Sequence, residues 1–395
     1  MATVVQVEGF QRREQVEKQD MHRASILLVI INHAGLGHLN RGLILAQSLQ
    51  ACSTAVAPSL LVNSDLAESF LAGVTIPYWN LPPSRWDGAT PTTRKLTAEG
   101  AERVKHHIMQ HRPEVLVYDT IFVEALVPLF AAQGIRQVWI MRDRKEQVLQ
   151  EWLRKPVLTY FDLVLVPHHP AEFPSYLLPE SIRPKLLFTG PLLRLPSGQD
   201  QEAVYQRYGI REEEFVVLFS AGGGNENDDT IRFLDMVNRG CQELVRRYAD
   251  VRCVVITGMG HRQPVTFARR TRIEVVPFER EIFTLMQRAD LFVSEAGYNT
   301  CYERILLQSP GILVPVETKI DDQYRRAAYL EQQAGLIVLR DFSPHQLVEQ
   351  IVHLYEKREE LDRMKRRLQS LPISVGNYCA AQAILALLEE SSACR

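Results

Sequence analysis

Residues 30–42 read IINHAGLGHLNRG. An aliphatic run stops at a glycine turn carrying two histidines, and an apolar pattern at helical spacing then begins in GLILAQSL (42–49). Strand, tight turn and helix open a βαβ unit, and the free N–H groups of such a helix start can face an anion. Asn40 stands where the third glycine of G-x-G-x-x-G would be, which disfavours a dinucleotide site of the usual kind.

The same layout recurs outward from this stretch. Short β-rich runs are expected as strands at 25–31, 58–63, 74–79, 114–119, 137–141 and 162–167. A second series starts afresh at 215–220, 252–257, 273–277, 290–294, 311–316 and 336–339. Strands alternating with helical patterns predict parallel α/β architecture, and the break between the series predicts two doubly wound Rossmann-like domains facing each other across a cleft. The stretch TGPLLRLPSGQDQE (189–202) suits a connection. The expected division is an arm over 1–24, a first domain over 25–190, a linker over 191–202, a second domain over 203–372, and a terminal helix over 373–395 that either crosses back to brace the first domain or is an ordinary core helix.

Length and composition agree with two cores. The chain has 395 residues, 46% of them hydrophobic and 23% charged. With 45 basic and 47 acidic residues, electrostatics supply no reason for a nucleic acid partner. The local clusters MRDRK (141–145) and RMKRR (363–367) read as solvated helix faces. Six scattered cysteines form no C-x-x-C pair, which suggests a reducing compartment. No apolar run has the length of a spanning helix and no signal peptide layout is present, so a cytoplasmic protein is expected.

Three turns carry the candidate chemistry. In the first, Gly37 lies at the helix start and His38 sits where the positive helix end favours a neutral imidazole, a base or a structural histidine. The second, LFSAGGGNENDD (218–229), places Gly223 and Gly224 for close backbone approach, with Asn225 or Asn227 to cap the helix or bond a phosphate. The third, SEAGYNTCYE (294–303), offers Gly297, Asn299 and Thr300 at a helix start, and Glu303 one turn in, able to accept from a vicinal diol such as ribose. Three such turns over two domains point to a nucleotide or phosphate ligand held by neutral groups and helix ends.

Residues 277–339, beginning PFEREIFTLMQRADLFVSEAGYNT and continuing through VPVETKIDDQYRRA, resemble nucleotide-sugar glycosyltransferases of the GT-B fold, most closely the MurG-type N-acetylglucosaminyltransferases and related UDP-glycosyltransferases. GLGHLNRGLILAQSL (35–49) resembles the N-terminal turn of the same family. The resemblance places Phe278 and Glu279 in the uracil loop, Glu303 on the ribose hydroxyls, and Gly223, Gly224, Asn299 and Thr300 around the diphosphate. Asp322 and Gln323 match the pair that reads the donor sugar, although Asp321 and Asp322 also suit a plain helix start. The chain departs from the family where a proline is common near Asn40 and Arg41, and at Glu295 and Tyr298.

The resemblance implies transfer of a sugar from a UDP-sugar, UDP-GlcNAc or a UDP-hexose, to an acceptor nucleophile, with inversion. No D-x-D triplet occurs, so a metal-independent site is expected, with no cofactor beyond the UDP-sugar co-substrate. His38 is the first choice of base, and Asp119, at the end of EVLVYD, either orients it, acts as base, or caps the next segment. Arg41 and Arg142 suit contact with an anionic acceptor or the diphosphate, but surface salt bridges are the commoner fate of arginine and are expected here. Residues 76–86, IPYWNLPPSRW, suit an acceptor pocket or a buried satellite cluster. Two other readings stay open: a UDP-sugar hydrolase resembling the enzyme of pseudaminic acid biosynthesis, and a silent nucleotide-sugar-binding subunit. Nucleotide-sugar 2-epimerases share the fold, but no motif specific to them is seen.

Overall fold

The computed structural model describes residues 23–31, 36–81, 86–87, 95–196, 201–224, 227–261, 267 and 271–393. The N-terminal arm up to residue 22, His33 and Asn225 lie outside these residues. Two parallel sheets form the frame. The first contains β1 (Ala24–Ile30), β2 (Val56–Val62), β3 (Tyr78–Asn80), β6 (Val115–Asp119), β7 (Arg136–Ile140), β8 (Leu163–Val166) and β9 (Leu186–Phe188), in the order β3-β2-β1-β6-β7-β8-β9. Between β3 and β6, β4 (Trp86–Asp87) and β5 (Lys95–Leu96) form a short antiparallel pair.

The second sheet contains β10 (Phe215–Ser220), β11 (Val251–Ile256), β12 (Ile273–Val276), β13 (Leu291–Ser294), β14 (Gly311–Leu313) and β15 (Ile337–Val338). Their order is β12-β11-β10-β13-β14-β15. The central strands are continuous apolar runs because helices cover both faces, and all six residues of β10 and of β11 are buried. Of the expected strand at 74–79 only Tyr78 and Trp79 pair with the sheet, in a strand that continues to Asn80. The three residues of β9 are too few to show a period, which hides that strand in the sequence.

Each sheet has a point where the strand order reverses, between β1 and β6 and between β10 and β13. The registers make these points coincide with strand ends: Val29 pairs with Tyr118, and Ser220 with Ser294. Side chains placed just beyond those residues therefore gather at two crevices, where ligands of doubly wound sheets bind. Helices α1 (Leu36–Cys52), α2 (Asp228–Arg247), α3 (Tyr298–Leu307) and α4 (Gln323–Ala334) begin at or near these crevices.

The last helix, α5 (Asn377–Ala393), packs on α1, burying Ala380, Ala381 and Ile384 in the cluster that holds Leu39, Leu45 and Leu49. The two chain crossings between the sheets run side by side: the Gly376 N–H donates to the Pro191 carbonyl, and the Asn377 amide donates to and accepts from Leu193. Gly190 sits at φ +81° with its Cα facing the Ser374 carbonyl, so a Cβ there would come within 2.1 Å of that oxygen.

Candidate active site

The site assembles from both crevices around one cleft of about 950 Å³. On the first sheet, His38 lies in the opening turn of α1 and Asp119 is the last residue of β6. His38 Nδ1 is 2.8 Å from Asp119 Oδ2. Arg41, one turn after His38, donates Nε to Asp119 Oδ1 at 2.8 Å and Nη2 to Oδ2 at 3.0 Å. Arg41 Nη2 also lies 2.9 Å from His38 Nδ1. With Nη2 donating to the carboxylate, which accepts only, an Nδ1 hydrogen satisfies Asp119 Oδ2, and in that tautomer Nε2 keeps its lone pair.

Electrostatics fit that assignment. The Arg41 and His38 partners outweigh burial at Asp119 and hold its carboxyl below the usual range. Burial, with Arg41 and Arg142 nearby, draws the His38 imidazole below its ordinary value against the pull of Asp119. His38 is nonetheless 24% exposed and lines the cleft, whereas Arg41 is fully buried. The expected surface salt bridge for Arg41 is thus corrected: the i, i+3 spacing turns it inward onto Asp119 beside His38.

The second sheet supplies the opposite wall. Gly223, Gly297, Asn299, Thr300 and Glu303 line it, and Gly37 faces them. Gly223 comes so close to α1 that a Cβ would meet the Leu36 nitrogen at 3.0 Å. Asn299 Oδ1 is buried with no hydrogen-bond partner among the described residues. Glu303 is 8% exposed and receives no hydrogen bond from any described protein donor. Burial pushes its carboxyl up to about 7, against a lowering pull from Arg194. A buried carboxylate left without donors is costly unless a ligand supplies them.

Other expected residues have structural partners. Phe278 lines the cleft and packs edge-on against Phe70 of the first domain. Both oxygens of Glu279 are occupied, by Tyr208, Arg207 and the Glu281 N–H, so its side chain shapes the loop and leaves backbone groups to a ligand. Gly224 lies outside the cleft wall, against the backbone of Gly258. Gln323 lines the cleft while its Oε1 accepts from Ala296 and Val316. Asp322 is not part of the wall; its carboxylate caps α4 by accepting from the Arg325 N–H at 3.0 Å. Asn227 caps α2. Trp79 packs edge-on against His107 and tilted against His111, away from the cleft.

Three features were not anticipated. The MRDRK segment is no solvated helix face: it leaves β7 as a loop in which Met141, Asp143 and Arg144 are buried, and Arg142, Asp143, Arg144 and Lys145 line the cleft. Tyr298 reaches across to donate to the Pro167 carbonyl, with the Arg142 guanidinium 4.5 Å from its ring centroid. Glu295 accepts from Thr230 Oγ1 at 2.7 Å, and burial pushes its carboxyl up to about 7. No local signal marked MRDRK, since solvated faces commonly interleave both signs of charge and its partners come from distant residues.

Residues 219–375 match the glycosyltransferase family 28 C-terminal domain. A relative from Opitutus terrae, named UDP-N-acetylglucosamine–N-acetylmuramyl-(pentapeptide) pyrophosphoryl-undecaprenol N-acetylglucosamine transferase, is 29% identical over 201 residues, covering 49% of this chain and 51% of its own. The chain thus spans about half the length of that relative. The UDP-GlcNAc 2-epimerase of Neisseria meningitidis, solved with UDP-GlcNAc, superposes with a TM-score of 0.64 at 14% identity over 93% of this chain and 100% of its own. The glycosyltransferase of kitacinnamycin gives 0.60 at 18% identity over 92% and 99%. The fold is GT-B.

Proposed function

We propose, from the premise that residues 219–375 are a glycosyltransferase family 28 C-terminal domain, that this chain transfers a sugar from a UDP-sugar, UDP-GlcNAc or a UDP-hexose, to an acceptor hydroxyl or other nucleophile, inverting and without a metal. One observation carries the reading. A partly exposed imidazole backed by a buried carboxylate faces, across a single cleft, a buried carboxylate that no described protein donor satisfies.

In this reading Glu303 accepts from the ribose hydroxyls, and the loop at Phe278 and Glu279 holds the uracil through backbone groups. Gly37, Gly223, Asn299 and Thr300 surround the diphosphate. His38 Nε2 takes the acceptor proton as the acceptor oxygen bonds to the anomeric carbon, and the bond from that carbon to the diphosphate breaks with its electron pair leaving on UDP. Preorganised N–H groups at the glycine turns and at the start of α3 receive the leaving charge. Asp119 fixes the imidazole tautomer, and the imidazolium formed is stabilised by the same carboxylate.

Water in the acceptor's place would use the same His38–Asp119 pair, which keeps the hydrolase reading in play. A silent binding subunit has no use for that pair. The deciding experiment incubates the purified protein with a panel of UDP-sugars and no acceptor, and measures UDP-sugar binding and UDP release for wild type and His38→Ala. Tight binding with trace release supports the transferase. Sustained stoichiometric release that requires His38 supports the hydrolase, and absence of UDP-sugar binding rejects both.

A further inference from the structure

The loop after β7 spends most of its charge on partners across the cleft. Arg142 donates to Asp321 at 2.7 Å, Asp143 accepts from Arg326 at 2.9 Å, and Lys145 pairs with Glu317. Arg144 does not follow suit. It is 7% exposed and lines the cleft, yet no carboxylate bonds it among the described residues. Its Nη2 donates to the Thr120 carbonyl at 3.2 Å, and its Cζ lies 4.6 Å from the Trp152 ring centroid. Burial and the neighbouring Arg142 draw its pKa down to about 10, which leaves it charged at neutral pH.

A buried cation with one neutral acceptor and an aromatic face has unspent donors. Asp119, Asp143 and Asp321 act on it only as neighbouring charges, and each is bonded to another cation. The position is equally specific. Thr120 follows β6 directly after Asp119, so Arg144 belongs to the half of the cleft that holds His38, opposite the glycine turns at β10 and β13.

We propose that Arg144 is an anion subsite on the acceptor side of the cleft, and that the acceptor carries a carboxylate received by the free edge of its guanidinium. This rests on the transferase reading. Thr120 occupies one nitrogen and Trp152 covers a face, which leaves one planar edge and one positive charge. A monoanionic planar carboxylate matches that edge in shape and charge, whereas a diphosphate brings more charge than a single free guanidinium neutralises. The subsite holds the acceptor in register with His38 Nε2, so its contribution is positional.

The test uses calorimetric titration of the full chain saturated with UDP, with benzoate, benzamide and phenyl phosphate as probes that differ only in the head group. Wild type is expected to bind benzoate at least tenfold tighter than benzamide and tighter than phenyl phosphate. Arg144→Gln should abolish the preference for benzoate, and Arg144→Lys should restore only part of it, because an ammonium lacks the fork. UDP affinity should be the same in all three proteins, which also shows that they fold. Equal binding of benzoate and benzamide, retained preference in Arg144→Gln, or tighter phenyl phosphate would overturn the proposal. Failure of UDP to bind wild type strikes the nucleotide reading instead, and the same titrations without UDP then decide the subsite.

Discussion

Arg142, in the loop after β7, and Asp321, in the loop before α4, meet at 2.7 Å across the cleft, and the contact is one member of a chain. Arg326 bonds Asp321 as well as Asp143, and Asp143 accepts from it at 2.9 Å. Two acids and two guanidiniums thereby alternate between the domains at one end of the site.

Removing Asp321 leaves two guanidiniums facing one carboxylate. Asp321→Ala is expected to destabilise the protein, by less than the ~3–5 kcal/mol of breaking a fully buried pair, because the Asp321 side chain is 24% exposed. It should also enlarge the radius of gyration in small-angle scattering as the domains separate. An unchanged radius with lowered stability would mean that the chain of charges does not hold the cleft closed.

Arg41 and Asp119 are both almost wholly buried, so neither tolerates loss of the other. Arg41→Met should cost about 3–5 kcal/mol in urea unfolding by leaving the Asp119 charge uncompensated. Arg41→Met combined with Asp119→Leu should cost less than the sum of the two single changes, and additive losses would show that the pair is not coupled.

His38→Ala should keep UDP affinity and lower turnover by about 10²–10⁴, the usual worth of a positioned base. Since the imidazole titrates below its ordinary value, the acidic limb of kcat/KM should fall below about pH 6.5. Turnover retained in the variant would transfer the base role to Asp119.

Glu303 has the opposite shift. Its folded-state pKa of about 7 stands above the ordinary 4.5, so the folded chain holds the extra proton between those values. Stability should decline as pH rises through that window and level off above about 7. Glu303→Gln should lessen that decline, the remainder coming from Glu295 with its like shift, while weakening UDP binding about tenfold or more. Unaltered UDP affinity in a titration would remove Glu303 from the nucleotide site.

Gly258 sits at φ +86°, and a Cβ there would come within 2.2 Å of the Gly224 nitrogen. Backbone on backbone cannot yield as a side-chain tip can. Gly258→Ala is therefore expected to displace the turn after β10, lowering both thermal stability and UDP affinity. Wild-type values for both would mean that the turn has room to shift.

Both sheets were readable in advance because continuous apolar runs repeat at helix-length intervals, and the β10 run coincides with its strand to the residue. The three turns were readable because strand, glycine and helix cap follow in order. What escaped was long-range pairing. Nothing local distinguishes Arg41, which turns onto Asp119, from an arginine on a solvated face, and MRDRK looks basic until Asp321, Arg326 and Glu317 come to meet it. Asp322 and Gln323 stand side by side in the chain but part company in space, because the helix start takes the carboxylate as its cap.

The packing of α5 on α1 has a bearing on how the protein comes into being. Vectorial synthesis delivers β1 and α1 among the earliest described residues, yet the apolar stripe of α1 that Ala380, Ala381 and Ile384 cover waits for nearly the last. Until α5 has left the ribosome, the earlier-made sheet carries an uncovered greasy surface open to chaperones or to another nascent chain. Truncation within α5 should therefore damage the domain made first, and a C-terminal fusion that hinders docking should lower soluble yield while leaving the second sheet able to fold.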